Sequence, residues 1–271
     1  MIDKKIGIIG CGNMGEAILS RLSEAVEKST ALMVSETDAA RRDYIQSKYK
    51  IIVEIDNNVV VKYSDVIILA VKPKDFDSVL KQEVCCGLSK NKLLISIAAG
   101  ITTEYIESAV GKDIPVIRAM PNMGAVIGEA MTALSRGSST LDSHMDAAQE
   151  IFSMIGDVIE VEEKLMDAVT AISGSGPAYF FYLTEALIEA ALALGLAPEA
   201  ASRLVSKTAL GSAKLLAELK EDPAALRNKV ASKGGTTEAA LKIFEKKKFK
   251  NIINDAVKAA YKRSRELSKY K

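Results

Sequence analysis

The residues nearest the start of the chain have the types and spacing of a phosphate-binding turn. Gly10-Cys11-Gly12-Asn13-Met14-Gly15 follows the apolar run from Ile6 to Ile9 and opens a helical pattern from Met14 to Leu22. Glycines at this spacing permit a tight turn, close approach of the backbone to a pyrophosphate, and close packing of helix on strand. The helix N-terminus then presents free N–H groups and a partial positive charge to phosphates. The segment predicts a dinucleotide site, and hydride transfer is the chemistry that such a site supports.

An acidic residue stands where the adenosine ribose of a dinucleotide is expected. Glu36 ends the second predicted strand, about 20 residues beyond the glycines, and a carboxylate there accepts hydrogen bonds from the ribose. Because the same carboxylate repels a 2′-phosphate, Glu36 favours NADH. Arg41 and Arg42 follow closely and can offset that repulsion, so NADPH stays open as the alternative.

A second glycine-rich loop lies near the other end of the chain. Ser232-Lys233-Gly234-Gly235-Thr236-Thr237 precedes a helical run from Glu238 to Phe244. We expect the glycines to free the backbone and the threonines to cap the helix, with N–H groups pointing outward. These features predict a site for a small carboxylate, and the alternative is a simple helix–helix turn. A third turn, Ser173-Gly174-Ser175-Gly176-Pro177, starts an apolar helix.

Strand-like and helical patterns alternate up to about Val161. The helical stretches include Asp38 to Tyr49 and Asp75 to Val84. Continuous apolar runs are typical of parallel strands that are covered by helices on both faces. The pattern predicts an α/β fold that begins with a doubly wound Rossmann-type domain at residues 1–162. The predicted strands are Ile6–Ile9, Leu32–Val34, Val66–Val71, Leu93–Ile97 and Val116–Ile117.

The remaining residues, 163–271, predict an all-helical second domain for substrate binding and dimerisation. Gly195 is expected to end one helix in the left-handed conformation, and Pro198 and Pro223 to open others. A further helix is expected from Asp255 to Leu267. The helix from Tyr179 to Leu194 is apolar nearly all round, so it must be covered on every side. This favours a homodimer, and the alternative is that the N-terminal domain covers the helix.

The bulk composition narrows the class of protein. Lys plus Arg (36) nearly balances Asp plus Glu (35), so no overall field favours nucleic acid or an anionic membrane. The chain shows no leader pattern and no long uncharged apolar stretch. Cys11, Cys85 and Cys86 form neither a disulfide framework nor a metal spacing, and His144 has no metal-binding neighbour in sequence. We therefore expect a cytoplasmic protein with no metal.

Together these segments resemble the pyrroline-5-carboxylate reductase family along nearly the whole chain. No single segment is decisive, but their number and order are highly specific. The similar segments are the glycine turn, Ala70–Pro73, Ser96–Gly100, Arg118–Asn122, Ser173–Tyr179 and Gly234–Thr237. The resemblance implies reduction of 1-pyrroline-5-carboxylate to L-proline with NADPH or NADH, and a dimer-based homo-oligomer whose helical domains interlock.

The resemblance also implies roles for residues at matching positions. Thr237 would be the catalytic hydroxyl beside the ring nitrogen, and the substrate contacts would be Glu163, Gly234, Gly235, Thr236 and Thr237. The cofactor contacts would be Ile9, Gly10, Cys11, Gly12, Asn13, Met14, Ser35, Glu36, Asn57, Ala70, Val71, Lys72, Pro73, Ala98, Ala99, Gly100 and Lys229.

This chain departs from the family pattern beside the substrate loop. Lys233 stands where proline is usual, Asn228 where aspartate is usual, and Lys229 where many relatives have asparagine. Two other readings remain to be weighed. A β-hydroxyacid dehydrogenase would need a lysine between Ser173 and Arg203, and that stretch has none. A dinucleotide-binding redox sensor would not need the second glycine loop.

Overall fold

The computed structural model describes residues 4–25, 31–111 and 113–268, without the side chains of Gln82 and Glu83. Within these residues eight strands form one sheet, in the order β3-β2-β1-β4-β5-β6-β7-β8. All neighbouring pairs are parallel except β6 and β7. The strands are β1 (Ile6–Ile9), β2 (Leu32–Ser35), β3 (Ile52–Glu54), β4 (Val66–Leu69), β5 (Leu93–Ser96), β6 (Val116–Met120), β7 (Ala130–Arg136) and β8 (Gly156–Glu160).

Helices cover both faces of this sheet, which confirms the predicted doubly wound architecture. The central strands β1, β2, β4 and β5 are buried along their whole length, because apolar clusters lie on each side. The first helices are α1 (Asn13–Ala25), α2 (Ala39–Tyr49), α3 (Asn57–Tyr63), α4 (Phe76–Ser78, continued in wider turns by Val79–Val84), α5 (Thr103–Val110), α6 (Asp142–Ser153) and α7 (Met166–Val169).

Side-chain caps fix where several of these helices begin. Asp38 accepts a hydrogen bond from the backbone N–H of Arg41 at 2.7 Å, and Thr102 does the same for Tyr105 at 3.1 Å. A capping oxygen satisfies one of the N–H groups that have no partner inside the helix. The predicted start at Asp38 is therefore its capping position, one residue before α2.

Three strands were missing from the sequence prediction. In β7 the side chains of Thr132 and Ser135 are fully buried although they are polar, so the segment lacks a continuous apolar run. β3 and β8 lie at the two edges of the sheet, where Ile52 and Ile159 are largely exposed. The two faces of an edge strand need not both be buried, so such a strand does not require the continuous run of apolar residues from which the other strands were predicted.

Beyond β8 the described chain is helical, as predicted. Gly195 follows α8 with φ +90°, Pro198 begins α9, and Asp222 caps α10 just before Pro223. These are the stop and start signals that the sequence provided. The helices are α8 (Gly176–Ala193), α9 (Pro198–Leu219), α10 (Pro223–Lys229), α11 (Thr236–Lys246) and α12 (Phe249–Ser268).

The chain forms two compact units. The first runs to Ser175 and includes the residues from Ala260 onward, and the second is Gly176–Ala259. The predicted boundary between residues 162 and 163 lies just after the last strand, where the chain becomes helical. That the two parts have separate functions stays a prediction.

Candidate functional site

The glycine turn has a geometry that excludes side chains at two of its three glycines. Gly10 has φ +86° and donates its N–H to the carbonyl of Ser35 at 2.9 Å. A Cβ at Gly15 would lie 2.4 Å from the carbonyl oxygen of Gly10, so α1 can pack on the turn only with glycine there. At Gly12 a Cβ would meet nothing within 4 Å, which leaves the backbone open on the side that a ligand approaches.

The structure brings the other predicted cofactor residues of the first unit to one edge of the sheet. Ile9 is level with Ser35 on one side and Leu69 on the other, and Leu69 is level with Ser96. The carboxyl ends of these parallel strands therefore meet, where the strand order reverses between β1 and β4. Ligands of doubly wound sheets bind at such a reversal. The residues just past the strand ends are Gly10–Met14, Glu36, Asn57, Ala70–Pro73 and Ala98–Gly100.

The polar groups at this edge fit a dinucleotide. The hydroxyl of Ser35 is buried and has no hydrogen-bond partner, which marks a position where a ligand group can satisfy it. Asn57 is also buried, at the start of α3. Free N–H groups at the start of α1 complete a cradle of the kind that binds a pyrophosphate.

Glu36 is held rigidly beside the glycine turn. Its carboxylate accepts the backbone N–H groups of Cys11, Thr37 and Asp38 at 3.0, 2.8 and 3.1 Å. The role of Glu36 as an acceptor for ribose hydroxyls stays a prediction. Burial raises the pKa of the Cys11 thiol to about 12, so Cys11 contributes its backbone here and not a reactive thiolate.

The sequence prediction missed a cluster of charged and phenolic side chains on the outer side of the turn. Glu16, in the first turn of α1, accepts hydrogen bonds from four side chains of α2. We call these five residues the Glu16 cluster. The partners are Arg41 in close contact, Lys48 at 2.8 Å, Tyr49 at 2.9 Å and Tyr44 at 3.1 Å.

The hydrogen bonds of the Glu16 cluster keep Glu16 ionised. Burial raises the pKa of the Glu16 carboxyl, but the four donors outweigh it and lower that pKa to about 2. The spacing of Arg41, Tyr44 and Lys48 along one helix face was a signal for this cluster, because residues three and four apart are neighbours on a helix.

In the loop before α11 (residues 232–237), the structure lacks the threonine caps that we expected from the sequence. The N-cap of α11 is Gly235, so Thr236 and Thr237 are the first two helical residues and do not cap the helix. Glu238 reaches back and accepts the N–H of Gly234 at 2.6 Å, and this hydrogen bond, helped by Lys242, holds the pKa of the Glu238 carboxyl below its usual range. The threonine caps predicted from the sequence are therefore wrong: the N-cap is Gly235, which has no side chain, and the Glu238 carboxylate binds the N–H of the residue before it.

The loop still presents groups that can bind an anion. Gly234 has φ +75°, and Gly235 donates its N–H to the carbonyl of Ser232 at 3.0 Å. The N–H groups of Thr236 and Thr237 open the helix and have no partner inside it. A small carboxylate can accept both, with the partial positive charge of α11 behind them.

Glu163 lies in the first unit and forms an ion pair that sequence reasoning missed. Its carboxylate is 2.9 Å from a guanidinium nitrogen of Arg118, a β6 residue that is only 2% exposed, and 3.3 Å from the N–H of Thr103. A second guanidinium nitrogen and the other carboxylate oxygen are buried without a partner. A charged residue inside the apolar strand Val116–Met120 was the available signal, since an arginine is buried only when it is paired.

The remaining predicted residues have plain structural surroundings. Lys229 lies in α10 of the second unit, with its ammonium 2.7 and 2.5 Å from the two carboxylate oxygens of Glu221. His144 lies in α6 and accepts the N–H of Leu141 at 3.1 Å, a contact at a helix start.

Within the described ranges no group of three or more His, Cys, Asp or Glu side chains is arranged to hold a metal ion. No helix among them has the length and apolar character needed to cross a membrane.

Comparison with known proteins matches both parts of the chain. The family model described as pyrroline-5-carboxylate reductase dimerisation matches residues 163–267. The model described as NADP oxidoreductase, coenzyme F420-dependent, matches residues 5–100.

Individual relatives are similar over almost their full length. The chain is 43% identical to the pyrroline-5-carboxylate reductase of Synechocystis sp., over 98% of each chain. A solved pyrroline-5-carboxylate reductase from Coxiella burnetii has a TM-score of 0.92 and 34% identity, covering 98% of this chain and 99% of that one. The Plasmodium falciparum pyrroline carboxylate reductase, solved with NADP bound, has a TM-score of 0.89 and 30% identity over 99% of each chain.

Proposed function

The chain belongs to the pyrroline-5-carboxylate reductase family, and from that premise we propose that it reduces 1-pyrroline-5-carboxylate to L-proline with NADPH or NADH. The observation that carries the proposal is the pairing of a glycine turn built for a dinucleotide with a separate helix start built for a small carboxylate. The activity is that of an oxidoreductase acting on a C=N bond, and it places the protein in proline biosynthesis.

The residues of the first unit hold the cofactor. The turn Gly10–Gly15 approaches the pyrophosphate closely, the N–H groups from Gly12 to the start of α1 bind it, and Glu36 accepts the ribose hydroxyls. Ser35, Asn57, Ala70–Pro73 and Ala98–Gly100 line the same edge of the sheet. A bound NAD(P)H supplies the hydride. We also retain Lys229, of the second unit, as a cofactor contact, in which case it must exchange Glu221 for the cofactor.

The residues of α11 and the loop before it hold the substrate. The N–H groups of Thr236 and Thr237 bind its carboxylate, and Gly234 and Gly235 allow the backbone to approach it closely. The hydroxyl of Thr237 accepts a hydrogen bond from the protonated ring nitrogen or orients a water molecule there. Thr is too weak an acid to supply the proton alone, so the imine arrives protonated. On the resemblance alone, we also retain Glu163, of the first unit, as a substrate contact.

We further propose that the protein is a homodimer or a higher homo-oligomer. Phe180, Phe181 and Tyr182 on α8 are 61–74% exposed in the single chain, an apolar surface that a second copy would cover. We also propose a cytoplasmic location for the protein, because its cysteines form no disulfide bonds with one another. They are Cys11, Cys85 and Cys86. Nothing in the nearly balanced charge points to nucleic acid.

A steady-state assay tests the function. Purified protein should oxidise NADH or NADPH only when pyrroline-5-carboxylate is present, with one proline formed for each dinucleotide oxidised. Tight dinucleotide binding without turnover of any cyclic imine would instead support a redox sensor. Light scattering on the same sample measures the oligomer.

A further inference from the structure

We propose that Glu16 is a specificity-determining residue, which weakens binding of a 2′-phosphorylated dinucleotide because its carboxylate occupies the guanidinium of Arg41 beside the glycine turn. The inference rests on the proposed function only in taking the glycine turn as the dinucleotide site. It concerns how the adenosine end of the ligand is selected, not the reaction at its other end.

The selection begins with Glu36, whose charge is fixed in place. Three backbone N–H groups hold its carboxylate next to Cys11, so it cannot swing away from a ligand at the turn. A 2′-phosphate brings about two negative charges to this position at neutral pH. Unless a cation moves in, the two like charges repel each other.

Two arginines lie close enough to provide that cation, and each already donates hydrogen bonds within the protein. Arg42 donates from one nitrogen to the carbonyl oxygens of Glu36 and Thr37, at 2.9 and 2.7 Å. Arg41 donates from Nε to the carbonyl of Cys11 at 2.8 Å and from Nη2 to Glu16. Arg41 thus touches the glycine turn itself, but its guanidinium is already bound by a carboxylate.

Glu16 is the residue that fastens Arg41. It remains ionised, because its pKa is about 2, and its side chain is only 18% exposed, so water screens the pair incompletely. It also binds Lys48, the other cation of the cluster. Replacing Glu16 by glutamine removes one negative charge and leaves Arg41 beside the turn with its Cys11 contact intact. A 2′-phosphate can then take the place of the lost carboxylate.

The test measures binding of NAD⁺ and NADP⁺ by calorimetry, with no substrate present, so that turnover plays no part. The two ligands differ only by the 2′-phosphate. For Glu16→Gln we expect the affinity for NADP⁺ relative to NAD⁺ to rise about tenfold, as one new charge-assisted hydrogen bond would give. The ratio of kcat/KM for NADPH to that for NADH should move in the same direction.

A matched control separates position from net charge. Glu24 lies on the same helix and pairs with Arg21 at 3.2 Å, so Glu24→Gln removes an equal charge away from the turn. Its affinity ratio should stay within about twofold of the wild type, since an exposed charge is screened over about 8–10 Å. Arg41→Gln in the Glu16→Gln background should abolish the gain.

Arg41→Gln alone keeps the proposal testable even if Glu16→Gln does not fold. In the wild-type background we expect it to lower the affinity for NADP⁺ relative to NAD⁺ by at most a few-fold, because it uncovers the charge of Glu16 but removes no bond to the phosphate. An unchanged ratio in folded Glu16→Gln overturns the proposal. So does a selective tenfold loss of NADP⁺ affinity in Arg41→Gln alone, because Arg41 would then already bind the phosphate. If the wild type binds neither ligand, the dinucleotide site itself is wrong. If it binds them but reduces no imine, only the proposed reaction fails.

Discussion

Replacing Thr237 by alanine separates a catalytic hydroxyl from a structural one. Thr237 is the second residue of α11, and the N-cap of that helix is Gly235. Its hydroxyl is therefore not needed to begin the helix. Alanine has a better helix propensity than threonine by about 0.5 kcal/mol, so we expect Thr237→Ala to leave the melting temperature unchanged or slightly raised.

The kinetic effect should be large by comparison. A hydrogen bond to a charged group contributes about 1.5–3 kcal/mol, and each 1.36 kcal/mol is a factor of ten in rate. If the bond to the ring nitrogen forms fully in the transition state, kcat/KM for pyrroline-5-carboxylate should fall roughly 10- to 100-fold. Dinucleotide affinity should not change, because the predicted cofactor residues of the first unit do not include this loop.

Two further variants complete the measurement. Thr237→Ser keeps the hydroxyl and should retain most of the activity, whereas Thr237→Val keeps the shape and should resemble alanine. The assay records kcat/KM and thermal unfolding on the same preparations. Intact kcat/KM together with a lowered melting temperature in Thr237→Ala would refute the catalytic role and leave Thr237 as a residue of structure alone.

Four other perturbations test separate parts of the structure. Glu36→Ser should raise kcat/KM for NADPH relative to NADH, and an unchanged ratio would mean that Glu36 does not face the ribose. Leu187→Glu, a charge at a position that is 45% exposed on α8, should dissociate the oligomer and abolish activity, and an active folded monomer in light scattering would contradict this. Arg118→Met should lower the free energy of unfolding by about 3–5 kcal/mol in urea titrations, because it leaves the Glu163 carboxylate without its buried partner; a loss below about 1 kcal/mol would contradict it. The free energy of unfolding of the wild type should exceed that of Glu16→Gln by its full amount above about pH 4.5, the ordinary pKa of the carboxyl group. This difference should vanish as the pH falls through about 2, the pKa in the folded protein. A difference that does not depend on pH would show that the charge of Glu16 plays no part.

The fold was predictable where the physical signal is local. Continuous apolar runs identify β1, β2, β4 and β5 because both faces of these strands are buried, and Gly195 and Asp222 mark helix ends through their own backbone and side-chain chemistry. β7 was not predictable in this way. Its Thr132 and Ser135 are buried by the fold around them, and nothing in their neighbours along the chain indicates that.

In the candidate site, too, the residues that were predictable are those whose signal is local in the sequence. The glycine turn and Glu36 follow from spacing alone, because they act within one strand–turn–helix unit. The Glu16 cluster joins α1 to α2, and Arg118 meets Glu163 across 45 residues of sequence. Gly235 as the N-cap of α11 was not predicted, because the threonines that follow the glycines are the more usual type of capping residue.

The end of α12 belongs to the first compact unit, and this has a consequence for how the protein folds during synthesis. The last turns of α12 belong to the first compact unit, where Ser264 donates a hydrogen bond to Asp167 at 2.6 Å and Leu267 lies 3.3 Å from where a Cβ of Gly100 would stand. Gly100 is in one of the predicted cofactor loops. Synthesis proceeds from the N-terminus, so the ribosome releases the sheet and this loop long before the segment that packs against them. The first unit therefore cannot complete its fold until α12 has been synthesised, and a ribosome stalled inside the second unit would expose a Gly100 loop that lacks its contact with Leu267.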